Sequence, residues 1–153
     1  SSLQEHRAFL KNAFETAERR LVITSPFISI AALEADDVLS LMVSAARRNV
    51  EVVIITDTDL DKVGGSLKPR ADDGRQALKK CGAKLSVLPR IHNKTLIIDR
   101  RAISEGSFNW LAAARDESSR YARREASNVV LAPSCEKFIA AAEKDLGLGD
   151  KTT

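Results

Sequence analysis

Four consecutive β-branched residues, at positions 52–55, limit this chain to few architectures. They lie in a predicted strand over residues 50–56, and they leave that strand no polar face. Strands without a polar face occur in sheets that are covered by helices on both sides. The run therefore predicts a layered α/β fold in which this strand is central.

Apolar strand patterns alternate with helical patterns through the first ninety residues, which indicates an α/β domain. A later hairpin makes the expected sheet mixed rather than purely parallel. The predicted helices cover residues 4–20 (after a Ser1-Ser2 cap), 35–48, 73–80 and 134–146. The predicted strands cover residues 21–24, 50–56, 84–88, 92–99, 102–107 and 126–131, and residues 57–70 form a polar loop. The expected fold is a mixed β-sheet flanked by helices on both faces.

Length and composition predict one domain over residues 1–153, since the chain is 44% hydrophobic. The lack of an initiating Met suggests that the domain is excised from a longer protein. No apolar run approaches the roughly 20 residues that span a bilayer, and residues 1–20 lack a signal-peptide core. Cys81 and Cys135 are isolated and are expected to be free thiols. A cytoplasmic location is therefore expected.

An imidazole and an ammonium lie two residues apart, at His92 and Lys94. Side chains alternate between the faces of a strand. The predicted strand over residues 92–99 therefore places both groups on one face and Asp99 on the other. This arrangement suits attack on a phosphodiester without a metal.

The returning strand is expected to add two polar groups to the same patch. If Arg100 and Arg101 form a two-residue turn, the register sets two pairs of side chains opposite each other, with Cβ atoms about 4.5–5.5 Å apart. A three-residue loop would break this register. The predicted pairs are Lys94 with Ser107 and His92 with Asn109.

These residues belong to a longer pattern, His-x-Lys-x4-Asp followed after six residues by Gly-Ser-x-Asn. The pattern resembles the HKD signature of the phospholipase D superfamily. Ser25-Pro26-Phe27, after the first strand, is similar to that family as well. Its short single-motif bacterial nucleases are the most similar in size and layout. The resemblance implies a phospholipase D-like half-domain.

The resemblance also implies a two-step reaction. One histidine attacks phosphorus and forms a phosphohistidine, a second protonates the leaving oxygen, and water then releases the product. His92 matches the motif histidine, and Lys94 would hold the non-bridging oxygens. Asn109 and Ser107 would add hydrogen bonds to those oxygens. Asp99, the third signature residue, is expected to be structural or orienting because its strand parity turns it away.

The family uses a glutamate that hydrogen-bonds the histidine ring, and Glu125 is the best candidate for it. Glu125 lies four residues before Val129, where about three are expected from the resemblance, and the segment from Asn109 to Glu125 is long for a minimal nuclease. Glu105 and Glu117 remain alternatives.

The implied mechanism needs two histidines, and the chain contains two, His6 and His92. His6 lies in an amphipathic helical pattern with no motif around it, so it is expected to be a surface or interface residue. One chain then supplies half of a site. We therefore predict a twofold homodimer that brings His92 of each copy to a shared centre.

Arginines concentrate near the motif, with six of them and three acidic residues between positions 100 and 124. Arg120, Arg123 and Arg124 are expected to contact a phosphate backbone, with Tyr121 as a stacking face. A solvated loop with ordinary charge pairs accounts equally well for the charge pattern alone.

The favoured function is a metal-independent phosphodiesterase that cleaves nucleic acid, with DNA as the expected substrate. Two alternatives stay open: a phospholipid phosphodiesterase, and a dimerising nucleic-acid-binding module with weak or no catalysis. No cofactor and no metal site is expected. Asp57, Asp59 and Asp61 resemble the start of a calcium loop, but Lys62 and Lys68 occupy the positions of its glycine and bidentate glutamate.

Overall fold

A computed structural model describes residues 2–149 of the chain. Its helices are α1 (Leu3–Thr16), α2 (Ile30–Ala35), α3 (Val38–Arg47), α4 (Pro69–Lys80) and α5 (Glu136–Asp145). Its strands are β1 (Arg20–Thr24), β2 (Glu51–Thr56), β3 (Lys62–Val63), β4 (Ser66–Leu67), β5 (Lys84–Val87), β6 (Lys94–Ile98), β7 (Ala102–Gly106) and β8 (Ser127–Leu131).

Six strands form one mixed sheet in the order β5-β2-β1-β6-β7-β8, and β3 and β4 form a separate hairpin. Strand β2 is parallel to both β1 and β5, whereas β6, β7 and β8 join by antiparallel pairing. Helices α1 to α4 contribute to the core on one face of the sheet, and α5 covers the other. The predicted mixed sheet with helices on both faces is confirmed.

Strand β2 shows why both layers are needed. Val52 and Ile54 pack in the core beneath helices α1 to α4, while Val53 and Ile55 pack in the core beneath α5. All four side chains are buried. The strand is therefore covered on both faces as predicted, although it lies second from the edge of the sheet, next to β5, rather than at its centre.

Helix α1 begins at a capping box. The Ser2 side chain accepts a hydrogen bond from the Glu5 backbone, and the Glu5 carboxylate accepts one from the Ser2 backbone N–H. Ser1, the other half of the predicted cap, lies outside the described residues. The helix ends at Thr16 rather than at residue 20, because residues 18–20 give their N–H groups to Asp99 instead of to the helix.

The helix predicted over residues 35–48 is confirmed as α3 (Val38–Arg47), although it begins later than predicted, and the separate helix α2 (Ile30–Ala35) was not predicted. Asp37 adopts a left-handed conformation (φ 53°) that separates α2 from α3. The buried face of α3 consists of Val38, Met42 and Ala45. The polar loop predicted over residues 57–70 contains the β3–β4 hairpin and the start of α4.

The predicted hairpin register is wrong. The loop between β6 and β7 has three residues, so Ile98 pairs with Ala102 and Lys94 pairs with Gly106 rather than with Ser107. His92 and Asn109 lie outside the strands and do not pair across the ladder. The extra loop residue is Asp99, which turns out of β6 in a left-handed conformation (φ 50°).

Asp99 is held in this turn by its carboxylate. The carboxylate accepts hydrogen bonds from the backbone N–H groups of Glu18, Arg19 and Arg20 at 2.8–3.0 Å, and from Nε of Arg101 at 3.3 Å. Burial by itself raises the pKa of Asp99. The four hydrogen-bond donors together lower the pKa by more than burial raises it, so the pKa lies below the ordinary value. Asp99 therefore joins the β6–β7 loop to the chain between α1 and β1.

We expect Asp99→Asn to lower the free energy of unfolding by about 1–3 kcal/mol at neutral pH, because these donors lose a charged acceptor. A carboxylate whose folded pKa is lowered stabilises the fold above its unfolded pKa, about 3.9. That contribution disappears as the pH falls through the lower folded pKa. The difference between wild type and variant should therefore shrink below about pH 4 in urea unfolding.

The exposed Asp145, at the end of α5, gives a matched control in Asp145→Asn. That variant should unfold like the wild type at each pH. An Asp99→Asn protein that is fully stable but inactive would contradict the structural role.

Candidate active site

The structure brings His92 and Lys94 together. Lys94 is the first residue of β6, and its side chain is buried, with the residue only 8% exposed. Its Nζ lies 3.2 Å from Nδ1 and 3.1 Å from Nε2 of His92. His92 itself is exposed and lies in the loop just before the strand. An exposed imidazole above a buried ammonium can meet a substrate from solvent.

Glu125 lies on the same patch. Burial lowers the pKa of Lys94, and the negative charge of Glu125 raises it in part, so the net pKa is below that of an ordinary lysine. The Ser107 hydroxyl donates a hydrogen bond to the Glu125 carboxylate. The structure therefore brings the charge of Glu125 close to Lys94, although the two residues are 31 positions apart in sequence.

Ser107 holds this carboxylate in place through the neighbouring backbone. Its N–H donates to the carbonyl oxygen of Ala126 at 2.9 Å, and its Oγ accepts from the Ala126 N–H at 3.1 Å. Gly106 is required at this junction, because a Cβ there would lie 2.1 Å from the Ala126 carbonyl oxygen. Ser107 thus orients Glu125, a role that the predicted register, with Ser107 opposite Lys94, did not reveal.

The two alternative glutamates are placed differently. Glu105 pairs with Thr95 in the ladder, so it lies on the sheet face opposite to Lys94 and Gly106. Glu117 is exposed in the irregular segment between β7 and β8. Glu125 is therefore the carboxylate that the fold brings to the Lys94 side chain.

Asn109 follows β7 in a turn, where its carbonyl oxygen accepts from the N–H groups of Ala112 and Ala113. Its side-chain Oδ1 is buried and has no hydrogen-bond partner. Buried polar groups are normally paired, so an orphaned amide oxygen next to this patch suggests an acceptor reserved for a hydrogen-bond donor on a ligand.

His6 is not a surface residue as predicted. It is only 3% exposed, its Nδ1–H donates to the Ser2 carbonyl oxygen at 2.8 Å, and its Nε2 accepts from Oγ of Ser127 at 2.9 Å. Its ring stacks on Phe108 with centroids 4.4 Å apart. The helical pattern alone could not show this, because Phe108 and Ser127 lie more than 100 residues away in sequence. His6 joins α1 to β8 and is not displayed to solvent.

We expect His6→Ala to lower the free energy of unfolding by about 2–4 kcal/mol, because it leaves a cavity beside Phe108 and an unpaired Ser127 hydroxyl. Lost activity in that variant would then reflect unfolding. His6→Gln retains an amide that can bond Ser127. It should remain folded in urea titrations and retain most of its hydrolysis rate. A folded but inactive His6→Gln would instead identify His6 as the second imidazole.

Residues 111–124, here called the arginine loop, lie beside the patch without regular structure. Arg115 anchors the loop: its Nε lies 2.7 Å from Oδ2 of Asp36, its Nη2 donates to the Trp110 carbonyl at 2.6 Å, and its guanidinium lies 5.1 Å from the Phe108 ring centroid. Asp36 also pairs with Arg7 of α1 at 2.6 Å. Sequence reasoning counted Arg115 only as charge and missed this anchor.

The three arginines predicted to contact phosphate lie in or at the end of this loop. The Arg120 guanidinium lies 4.7 Å from the ring centroid of Tyr121, and Arg123 donates to the carbonyl oxygens of Arg120 and Ala122. Arg124 is exposed next to Glu125. Arg123 and Arg124 line the same cavity as Asn109 and Glu125, and the contact of all three arginines with phosphate stays a prediction.

Ser25, in the Ser-Pro-Phe segment after β1, connects the first strand to this region. Its Oγ accepts a hydrogen bond from the Leu111 N–H at 3.2 Å and donates one to the Phe27 carbonyl oxygen at 2.8 Å. The acidic segment that resembled a calcium loop is engaged elsewhere, since Asp61 pairs with the buried Arg75 at 2.9 Å.

Between residues 2 and 149, no group of three or more His, Cys, Asp or Glu side chains could hold a metal ion. No helix in that range is long and apolar enough to cross a membrane. Cys81 and Cys135 are free thiols.

Solved structures with a similar fold include Nuc, a phospholipase D family member from Salmonella typhimurium (19% identity, TM-score 0.66, covering 91% of this chain and 84% of that one). NucT from Helicobacter pylori is similar at 16% identity and TM-score 0.66, over 95% of this chain and 87% of that one. The archaeal chromatin protein TrmBL2, described with a novel mode of DNA binding, shows 18% identity and TM-score 0.55, over 95% of this chain and 48% of that one.

No curated protein sequence matches the chain. The family described as "Cardiolipin synthase, PLD-like domain" matches residues 10–140, which include β1 and the whole of the patch around His92. The chain therefore belongs to the phospholipase D-like family.

Proposed function

We propose that this protein is a nuclease that hydrolyses phosphodiester bonds of nucleic acid, with DNA as substrate, through a phosphohistidine on His92. The observation that carries the proposal is the exposed His92 imidazole in contact with the Lys94 ammonium, with the charge of Glu125 close to Lys94. Arg123 and Arg124 of the arginine loop region add positive charge beside this patch, which favours a polyanionic substrate.

In the proposed first step, a His92 nitrogen attacks phosphorus and the bond from phosphorus to the leaving oxygen breaks. A second imidazole gives its proton to that oxygen. Water then attacks the phosphohistidine, returns a proton to the second imidazole and frees His92. Lys94 stabilises the charge that develops on the non-bridging oxygens, and the Asn109 amide adds a hydrogen bond. Glu125 orients the His92 ring, and Asp99 acts through the fold.

The second imidazole comes from another copy of the chain. Residues 2–149 contain both histidines of the sequence, and His6 is enclosed by Ser2, Ser127 and Phe108. A twofold dimer places two His92 residues at one centre, and closed twofold dimers are the commonest homo-oligomers. Arg120, Arg123 and Arg124 of each copy then contact the substrate backbone.

Plasmid nicking in EDTA tests the proposal. Wild-type protein should convert supercoiled DNA to the nicked form, and His92→Ala should not. Salt-sensitive DNA binding without cleavage by the wild type would indicate a binding module instead. Release of head groups from phospholipid vesicles, without DNA cleavage, would indicate a lipid enzyme.

A further inference from the structure

A cavity of about 680 Å³ lies between the arginine loop and the amino-terminal end of α1. Asn109 and Glu125, two residues of the candidate site, form part of its wall. A substrate held at the site therefore has this cavity directly beside its phosphate. The proposed mechanism uses residues of this wall but assigns no part of the substrate to the space that they enclose.

The wall of the cavity has the chemistry of a base-binding pocket. Tyr121, which is 63% exposed, supplies aromatic surface, Arg123 and Arg124 supply cations, and Glu117 supplies a hydrogen-bond acceptor. A nucleotide has a base with flat apolar faces and a polar edge, and its phosphates are anionic. Its base can stack on the aromatic surface and hydrogen-bond the acceptor, and its phosphates can pair with the cations. The remaining lining includes four small residues, namely Ala112, Ala113, Ala114 and Ala122.

The size of the cavity fits the same occupant. Sites that enclose small organic ligands commonly measure about 300–1,000 Å³. The volume of this cavity lies inside that range. A charged rim of arginines is compatible with a nucleotide, whereas acyl chains require a continuous apolar wall.

The cavity is built into the fold at its base. Arg115 is held between Asp36 and the Phe108 ring, and both Asp36 and Arg115 have side chains less than 10% exposed. The Leu111 N–H is bound to Ser25, and the Ser29 N–H donates to the Leu111 carbonyl oxygen at 2.9 Å. The start of the arginine loop is therefore fixed by buried contacts.

We infer that this cavity binds the base of a nucleotide adjoining the scissile phosphate, so that the enzyme prefers single-stranded or locally unpaired nucleic acid. The inference rests on the proposed nuclease function. In a duplex the same base is stacked and paired, and it must leave the helix before it can enter a pocket. A single strand presents its bases without that cost.

The experiment compares three substrates: a labelled single-stranded oligonucleotide, the same strand annealed to its complement, and bis(p-nitrophenyl) phosphate, which carries no base. Wild-type kcat/KM should be higher for the single strand than for the duplex. An abasic residue next to the cut should remove most of that advantage.

Two variants alter the cavity in opposite ways. Tyr121→Ala removes the stacking surface, and Ala122→Leu fills the space without changing charge. Each should lower kcat/KM on the single strand by about 5- to 150-fold relative to bis(p-nitrophenyl) phosphate, as loss of one stacked base predicts. The matched control is Ala140→Leu, at an exposed position of α5 on the other side of the sheet.

Equal kcat/KM values on single strand and duplex, or unchanged ratios in both variants, would overturn the inference while the nuclease function stands. Loss of lipid head-group release in Ala122→Leu, with DNA cleavage unaffected, would assign the cavity to acyl chains and overturn it as well. Absence of all hydrolysis by the wild type would instead count against the proposed function.

Discussion

His92→Ala is expected to lower kcat/KM for phosphodiester hydrolysis by at least about 10⁴-fold, since the loss of a catalytic nucleophile or acid–base group has effects of this order. In the proposed dimer a single substitution removes both the nucleophile and the proton donor. His92 is exposed at the start of β6, so its loss should leave the fold intact. Hydrolysis of bis(p-nitrophenyl) phosphate in EDTA measures the effect without dependence on DNA binding.

Asn93→Ala is the matched control for this variant. Asn93 is the next residue of the same loop, and it is exposed in the same way. It should retain wild-type rates. Hydrolysis by His92→Ala at the wild-type rate would contradict the assignment of the nucleophile.

Lys94→Ala is expected to lower kcat by about 10²–10³-fold, the range found when one group that stabilises a developing oxyanion is removed. The buried ammonium lies within 3.2 Å of the His92 ring, so it is placed to bind the same phosphoryl group. Because Lys94 is buried, Lys94→Met should be measured beside it to preserve side-chain volume. Urea unfolding checks the fold of both, and the exposed Lys80→Ala serves as control.

The lowered pKa of Lys94 adds a pH test. The Lys94 ammonium should be fully present at low pH. As the pH rises, it should lose its proton at a pH lower than the ordinary lysine pKa of about 10.4. Glu125→Gln removes the charge that raises this pKa, so the variant should lose the ammonium at a still lower pH. NMR titration of the Lys94 Nζ resonance measures both. A pKa that is unmoved in Glu125→Gln would contradict the proximity of the two groups.

The layer architecture was predictable because it depends on composition within single strands. Four branched residues in β2 require cover on both faces, and the structure provides it from α1 to α4 and from α5. The contact of His92 with Lys94 was predictable for a similar local reason, since residues two apart share a face of an extended segment. Both inferences need no information from distant parts of the chain.

The hairpin register was not predictable, because distant groups decide it. Asp99 leaves the strand and accepts hydrogen bonds from three backbone N–H groups some 80 residues earlier. These hydrogen bonds convert the predicted two-residue turn into a three-residue loop. The buried state of His6 has the same origin, since Ser127 and Phe108 lie far away in sequence. Strand periodicity and helical periodicity report neither kind of contact.

The arginine loop shows a further limit of sequence reasoning. Charge counting treated its arginines alike, yet Arg115 is a buried anchor on Asp36 while Arg124 is exposed. Arg115 is buried because it pairs with Asp36 at the end of α2. The prediction instead placed Asp36 at the start of a helix over residues 35–48. The single-domain organisation and the cytoplasmic location stay predictions.

Subunit mixing tests the shared centre most directly. Wild-type and His92→Ala chains are unfolded together in equal amounts, refolded, and assayed on bis(p-nitrophenyl) phosphate. If two copies of His92 serve one phosphorus atom, mixed dimers are inactive and the sample retains about one quarter of the activity of an all-wild-type sample, because random pairing makes one dimer in four wild type on both sides. Retention of about one half would show that each chain works alone, and would contradict the account.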